Sequence, residues 1–308
     1  MSRLCPQLAL TCLVALAFCG CGEPVSKDRP DGKLSVFVSI PPQAGFVRAI
    51  GGDHVVVTSF AGEGQDPHSI QVHPKVMSEL NRAHVYFSVG MPFEELVLKK
   101  TAEQKNPPRI VDTTKGIKRI EYQGCDHEHD HDHDHDHDHG HSHGEGEPDP
   151  HIWLAPEKIM SQVKTIAAAL KELAPDHSEE FDKNLAAYLK ELEELDYSIS
   201  EKMDPLLGET FFVYHPAFGY FADAYGLYQE PLETGGQSPT TKGLTEFIEL
   251  AKEQEAKVIF VQPQFDKSNA ETVAKEIGGK VVPLDPLAED VVGNLKTIAE
   301  SIASALKQ

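Results

Sequence analysis

The sixteen histidines of this 308-residue chain fall into two groups, and each group could do metal chemistry. Nine of them, His127, His129, His131, His133, His135, His137, His139, His141 and His143, alternate mostly with Asp in the segment 125–147. Among the other seven, His68 sits in EGQDPHS, His151 in DPHIWLAP and His215 in ETFFVYHP. Neutral imidazole is a preferred ligand for zinc, copper and nickel, and interleaved carboxylates add negative field and oxygen donors.

The tract has no apolar residue between Asp126 and Pro148, so it cannot build a core and is expected to be a surface loop. Some metal binding follows from its composition. Selectivity does not, because a flexible chain loses entropy when it wraps an ion and offers many competing ligand sets. By itself the tract fits a transporter component, a storage protein, a metallochaperone or a solvated acidic spacer.

The isolated histidines are more specific. His68 follows a strand-like run, His151 follows the tract, His215 ends a strand-like run, and Asp285 in VPLDPL ends another. Loops at the carboxyl ends of parallel strands are where α/β folds place ligands. Pro67, Pro150 and Pro216 adjoin the three histidines and stiffen those loops. Three imidazoles and a carboxylate suit tetrahedral Zn²⁺, with water, Asp66 or Glu63 as alternatives to Asp285 in the fourth position. His54, His84 and His177 flank secondary elements, and His73 precedes Pro74 at a helix start, so all four are read as structural.

To position such a site the chain must supply two α/β lobes. From Lys33, short β-branched runs (34–40, 54–60, 84–90, 109–114) alternate with helix-like segments at 43–52 and 73–83 and a further one before 109, which predicts an α/β lobe with a mainly parallel sheet. A second alternation starts near Glu209, with strands expected at 209–215, 257–263 and 280–285 and helices around 218–225, 242–255, 268–277 and 289–306. Between them Asp176–Met203 has no Gly or Pro, and Phe181, Leu185, Tyr188, Leu189, Leu192, Leu195 and Ile199 fall on one helical face. Its 28 residues would span about 42 Å, enough to run along both lobes. The expected organisation is a signal segment 1–21, a linker 22–32, a first lobe 33–175 carrying the tract, a connecting helix 176–206 and a second lobe 207–308.

The net charge of −21 is concentrated locally: residues 126–149 hold ten acidic side chains and no Lys or Arg. That balance argues against a nucleic-acid partner. At the start, one Arg precedes an apolar run from Leu8 to Phe18, far shorter than the roughly 20 residues of a membrane-spanning helix, so it reads as an export signal. Phe18-Cys19-Gly20-Cys21 resembles a lipobox, which makes Cys21 the candidate for lipidation, with simple secretion as the alternative. Only Cys21 and Cys125 would then remain, and no structural disulfide is expected. Gly62-Glu63-Gly64 lacks the third Gly of a dinucleotide loop.

Several segments together resemble the cluster A-I metal-binding proteins of bacterial ABC importers, a family with zinc and manganese branches. They are GEGQDPHSIQVHPKVMSEL (62–80), VYFSVGMPFEE (85–95), DPHIWLAPEKI (149–159), VYHPAFGYFADAYGL (213–227), QSPTTKGLTEFIELAKEQ (237–254) and FVQPQF (260–265). The resemblance implies two α/β lobes joined by a rigid helix, metal held between them by His68, His151, His215 and Asp285, and delivery to a membrane permease by a monomeric carrier. His at position 215 looks like the zinc branch, since manganese relatives favour more oxygen. The paired cysteines of some zinc-binding relatives are absent.

The expectation is therefore a non-enzymatic, extracytoplasmic Zn²⁺ carrier, with the tract as an auxiliary, weaker site. Since zinc ligation requires neutral imidazole, affinity is expected to fall below about pH 6.5. A manganese or iron carrier, an adhesin or a storage protein are the alternatives. A zinc hydrolase is disfavoured, because the sequence has no HExxH and no assigned general base.

Overall fold

The computed structural model describes residues 32–121, 148–233 and 238–307. The leading segment with Cys21 and the nine tract histidines lie outside the described residues. Within them the chain forms two four-stranded sheets in which every strand pair is parallel. The first contains β1 (Leu34–Val38), β2 (Val55–Ser59), β3 (Val85–Ser88) and β4 (Arg109–Asp112), in the order β2-β1-β3-β4. The second repeats that order with β5 (Thr210–Val213), β6 (Tyr228–Pro231), β7 (Val258–Val261) and β8 (Lys280–Pro283), as β6-β5-β7-β8. Parallel strands need crossover connections, which is why helices separate them in the chain.

The first lobe carries α1 (Pro41–Gly51), α2 (Pro74–Leu80), α3 (Glu94–Ala102) and α4 (Pro156–Leu173). Prolines at the first positions of α1, α2 and α4 preset helical φ where no intrahelical donor is required. Gly52, at φ 53°, ends α1 in a conformation that side chains with a Cβ rarely adopt. The second lobe carries α6 (Gly219–Ala224), α7 (Thr241–Glu253), α8 (Ser268–Glu276) and α9 (Val291–Leu306). Thr240 and Asp290 cap α7 and α9 by accepting from the amides of Gly243 and Gly293.

Between the lobes runs α5 (Ser178–Met203), 26 residues extended at both ends by a 3₁₀ turn. Its apolar stripe is buried at Phe181, Leu192, Leu195 and Ile199, with Leu185, Tyr188 and Leu189 packed at the margin. Glu179 and Glu180 in its first turn and Lys202 in its last complement the helix dipole.

One hydrophobic core joins the first sheet, α4, α5 and α9 to the inner face of the second sheet. A smaller core fills the outer face under α7 and α8. The two-residue period of a strand divides them: Phe211 and Val213 enter the large core, Phe212 and Tyr214 the small one. Two elements have no counterpart in the alternation read from sequence. Strand β6 is short, polar and ends in Pro231, and is fixed as an edge strand by backbone pairing with β5. Helix α4 packs Ile159, Val163, Ile166 and Leu170 into the large core.

Candidate metal centre

His68, His151 and His215 come from three separate loops, and one ligand nitrogen of each lies within 4.8 Å of the other two. The Nε2 atoms of His68 and His151 are 3.2 Å apart, and those of His215 and His151 3.4 Å. Tetrahedral ligands at the usual Zn–N length of about 2.0–2.1 Å would be separated by roughly 3.3 Å, which these two separations match.

Each loop explains its own histidine. In Asp66-Pro67-His68, Asp66 Oδ1 accepts from the His68 amide at 2.9 Å, a tight Asx turn behind the buried Pro67. In Asp149-Pro150-His151 the same turn recurs: Asp149 Oδ1 accepts from the His151 amide at 2.8 Å. The carboxylate also accepts from His151 Nδ1 at 2.7 Å. His215 leaves β5 with its backbone clamped by Gln262, whose Oε1 accepts from the His215 amide and whose Nε2 donates to its carbonyl. His215 Nδ1 is 2.8 Å from Glu233 Oε2 at the end of the neighbouring edge strand.

These two carboxylates fix the chemistry of their rings. An ionised carboxylate only accepts, so Nδ1 of each ring carries the proton and Nε2 of each neutral ring presents its lone pair to the centre. Asp149 is 1% exposed and Glu233 4%. Asp149 is itself held from the second lobe: the Tyr220 hydroxyl donates to its carbonyl at 2.9 Å, and a Cβ on Gly219 would lie 2.8 Å from its Oδ2. Burial, followed by the Asp149 charge, pushes the Tyr220 phenol up to about 12, which keeps that donor protonated.

The three imidazoles border a chamber of about 10 Å³, close to the minimum for a single water-sized occupant. Asp66, Pro67, Gln264, Phe265, Pro286 and Leu287 complete its wall. Phe265 stacks on His215 with centroids 4.9 Å apart. His151 and His215 are buried, and His68 is half-buried.

Asp285 is not among the grouped ligands. Its Oδ1 accepts from Gln264 Nε2 and from the Leu287 amide, both at 2.9 Å, which shapes the loop forming the chamber wall. Asp66 lines the chamber, while Glu63 is exposed. Among the other described histidines, His84 Nδ1 accepts from the Ser35 amide, His54 stacks on His177 and meets Glu180, and exposed His73 precedes α2.

Sequence reasoning missed Asp149, Glu233, Gln262 and Phe265. The repeated Asp-Pro-His tripeptide was a usable signal for Asp149. Glu233, 18 residues from His215, had none, because only the β5–β6 pairing brings it alongside.

Residues 36–307 match the family described as zinc-uptake complex component A, periplasmic. The chain is similar to the high-affinity zinc uptake system protein ZnuA of Bacillus subtilis, 31% identical over 90% of this chain and 86% of that one. It is 29% identical to the zinc-binding lipoprotein AdcA of Streptococcus pneumoniae, covering all of this chain and 61% of the longer relative. The crystal structure of a zinc-bound ZnuA deletion mutant superposes with a TM-score of 0.78 at 37% identity, over 89% of this chain and 98% of that one.

Proposed function

Since this chain belongs to the family of the periplasmic zinc-uptake complex component A, we propose that it captures Zn²⁺ through His68, His151 and His215 between its lobes. It is a solute-binding protein of an ABC zinc importer and not an enzyme. The observation that carries the ligand assignment is the convergence of three imidazoles, with His151 Nε2 at tetrahedral spacing from the Nε2 atoms of His68 and His215, on a space for one small occupant. Zinc is the cargo. A water from the open side completes the tetrahedron in this reading, with Asp285 acting through the wall loop.

The lobes correspond to 33–175 and 207–308, joined by 176–206. The carrier works as a monomer, tethered outside the cytoplasmic membrane through Cys21. No helix of the described residues is long and apolar enough to cross a membrane. The tract histidines act as an auxiliary, weaker zinc site: Glu121 and Pro148 bridge at the tract's base, and Asp149 follows directly, so its root adjoins the His151 loop.

Calorimetry tests the division of labour. Deleting 126–147 should remove weak zinc equivalents and keep the tightest one, whereas His68→Ala or His215→Ala should remove the tightest and keep the weak ones. The reverse pattern would transfer the high-affinity site to the tract.

A further inference from the structure

We infer that Asp149 and Glu233 make the centre selective for a divalent ion over a soft monovalent one, by bringing the occupied site to electrical neutrality. The inference rests on the ligand assignment above. Imidazole donors alone would not discriminate, because they also suit copper. What distinguishes Zn²⁺ from Cu⁺ or Ag⁺ at three neutral imidazoles is charge.

The charge is placed one hydrogen bond behind two of the ligands. Asp149 Oδ1 and Glu233 Oε2 lie 2.7 and 2.8 Å from the Nδ1 atoms of His151 and His215. Both carboxylates and both rings are nearly sealed from solvent, with exposures between 1% and 4%. Three neutral rings and two carboxylates carry −2, so a dication leaves no net charge and a monocation leaves −1. In a buried region an uncompensated charge is costly and water screens little. Asp66 and Asp285 are half-buried, so solvent weakens their share. The two carboxylates come from different lobes, Asp149 before α4 and Glu233 after β6, so full compensation requires both lobes at the centre.

The test uses the full chain with Asp149→Asn and Glu233→Gln, each close to isosteric and each able to accept from Nδ1. Zn²⁺ and Ag⁺ are supplied at buffered free concentrations, and occupancy is read from the imidazole nitrogen resonances of His151 and His215, which coordination shifts directly. Each variant should bind Zn²⁺ roughly 10–100-fold more weakly with little change for Ag⁺, so the zinc-to-silver ratio falls about tenfold or more. Equal losses for both ions would reduce the carboxylates to ring positioning and overturn the inference, as would no loss for zinc. His151→Ala separates the two levels: if it still binds zinc as the parent chain does, the ligand assignment itself falls, and this inference with it.

Discussion

Trp153 Nε1 donates a 2.7 Å hydrogen bond to the carbonyl of Pro286, across the line between the lobes. Trp153 lies two residues after His151 and is fully buried, with its ring 5.2 Å from that imidazole. Pro286 and Leu287 line the chamber beside the three imidazoles, so one indole joins the His151 loop of the first lobe to the chamber wall of the second.

Trp153→Phe should therefore act on stability and on the centre together. The orphaned carbonyl costs about 1–3 kcal/mol, seen as a lower denaturant midpoint. Zinc transfer to a chelator should also accelerate in stopped-flow measurements. An unchanged transfer rate alongside lowered stability would show that the bond holds the lobes without guarding the metal.

Gly45 in α1 faces the backbone of Glu289, and a Cβ there would collide with that carbonyl. The neighbouring Arg48 forms an ion pair with the Glu289 side chain. Gly45→Ala should cost about 1–3 kcal/mol by overpacking this contact between the lobes. Thermal unfolding followed by circular dichroism measures it, and a stability equal to the parent would mean the contact yields freely.

Glu94 supplies a pH dependence remote from the metal. Burial raises its pKa, offset in part by hydrogen bonds from the Ser39 hydroxyl and the amides of Val89 and Gly90. A carboxyl with a raised folded pKa favours folding while it is protonated, and that contribution is lost as pH climbs from the unfolded value through the folded one. The stability of the parent chain should thus decline relative to Glu94→Gln from about pH 4 upward. Denaturation midpoints across that range give the slope, and parallel profiles would contradict the assignment.

His73→Ala is the control for a histidine outside the centre. It is exposed, precedes Pro74 at the start of α2 and is absent from the ligand group. Zinc affinity should remain within about twofold, as for ordinary surface substitutions. A tenfold loss in competition titration would place His73 in the binding pathway.

The sequence by itself determined the alternating elements and the long helix, and it singled out three histidines that the structure brings together. Those features are local: β-branched runs, helical spacing from Phe181 to Ile199, and rigid Pro-flanked loops at strand ends. It did not yield β6, whose Tyr228–Pro231 is polar and depends on pairing with β5, nor the hydrogen bonds that Asp285 accepts from Gln264 and the Leu287 amide. Only the tertiary structure placed Asp149 and Glu233 behind their rings and Pro286 above Trp153. The physical reason is range. Backbone propensity and hydrophobic period act over a few residues, whereas the charge and proton placement of a buried centre depend on groups that meet only when the sheets pair and the lobes pack.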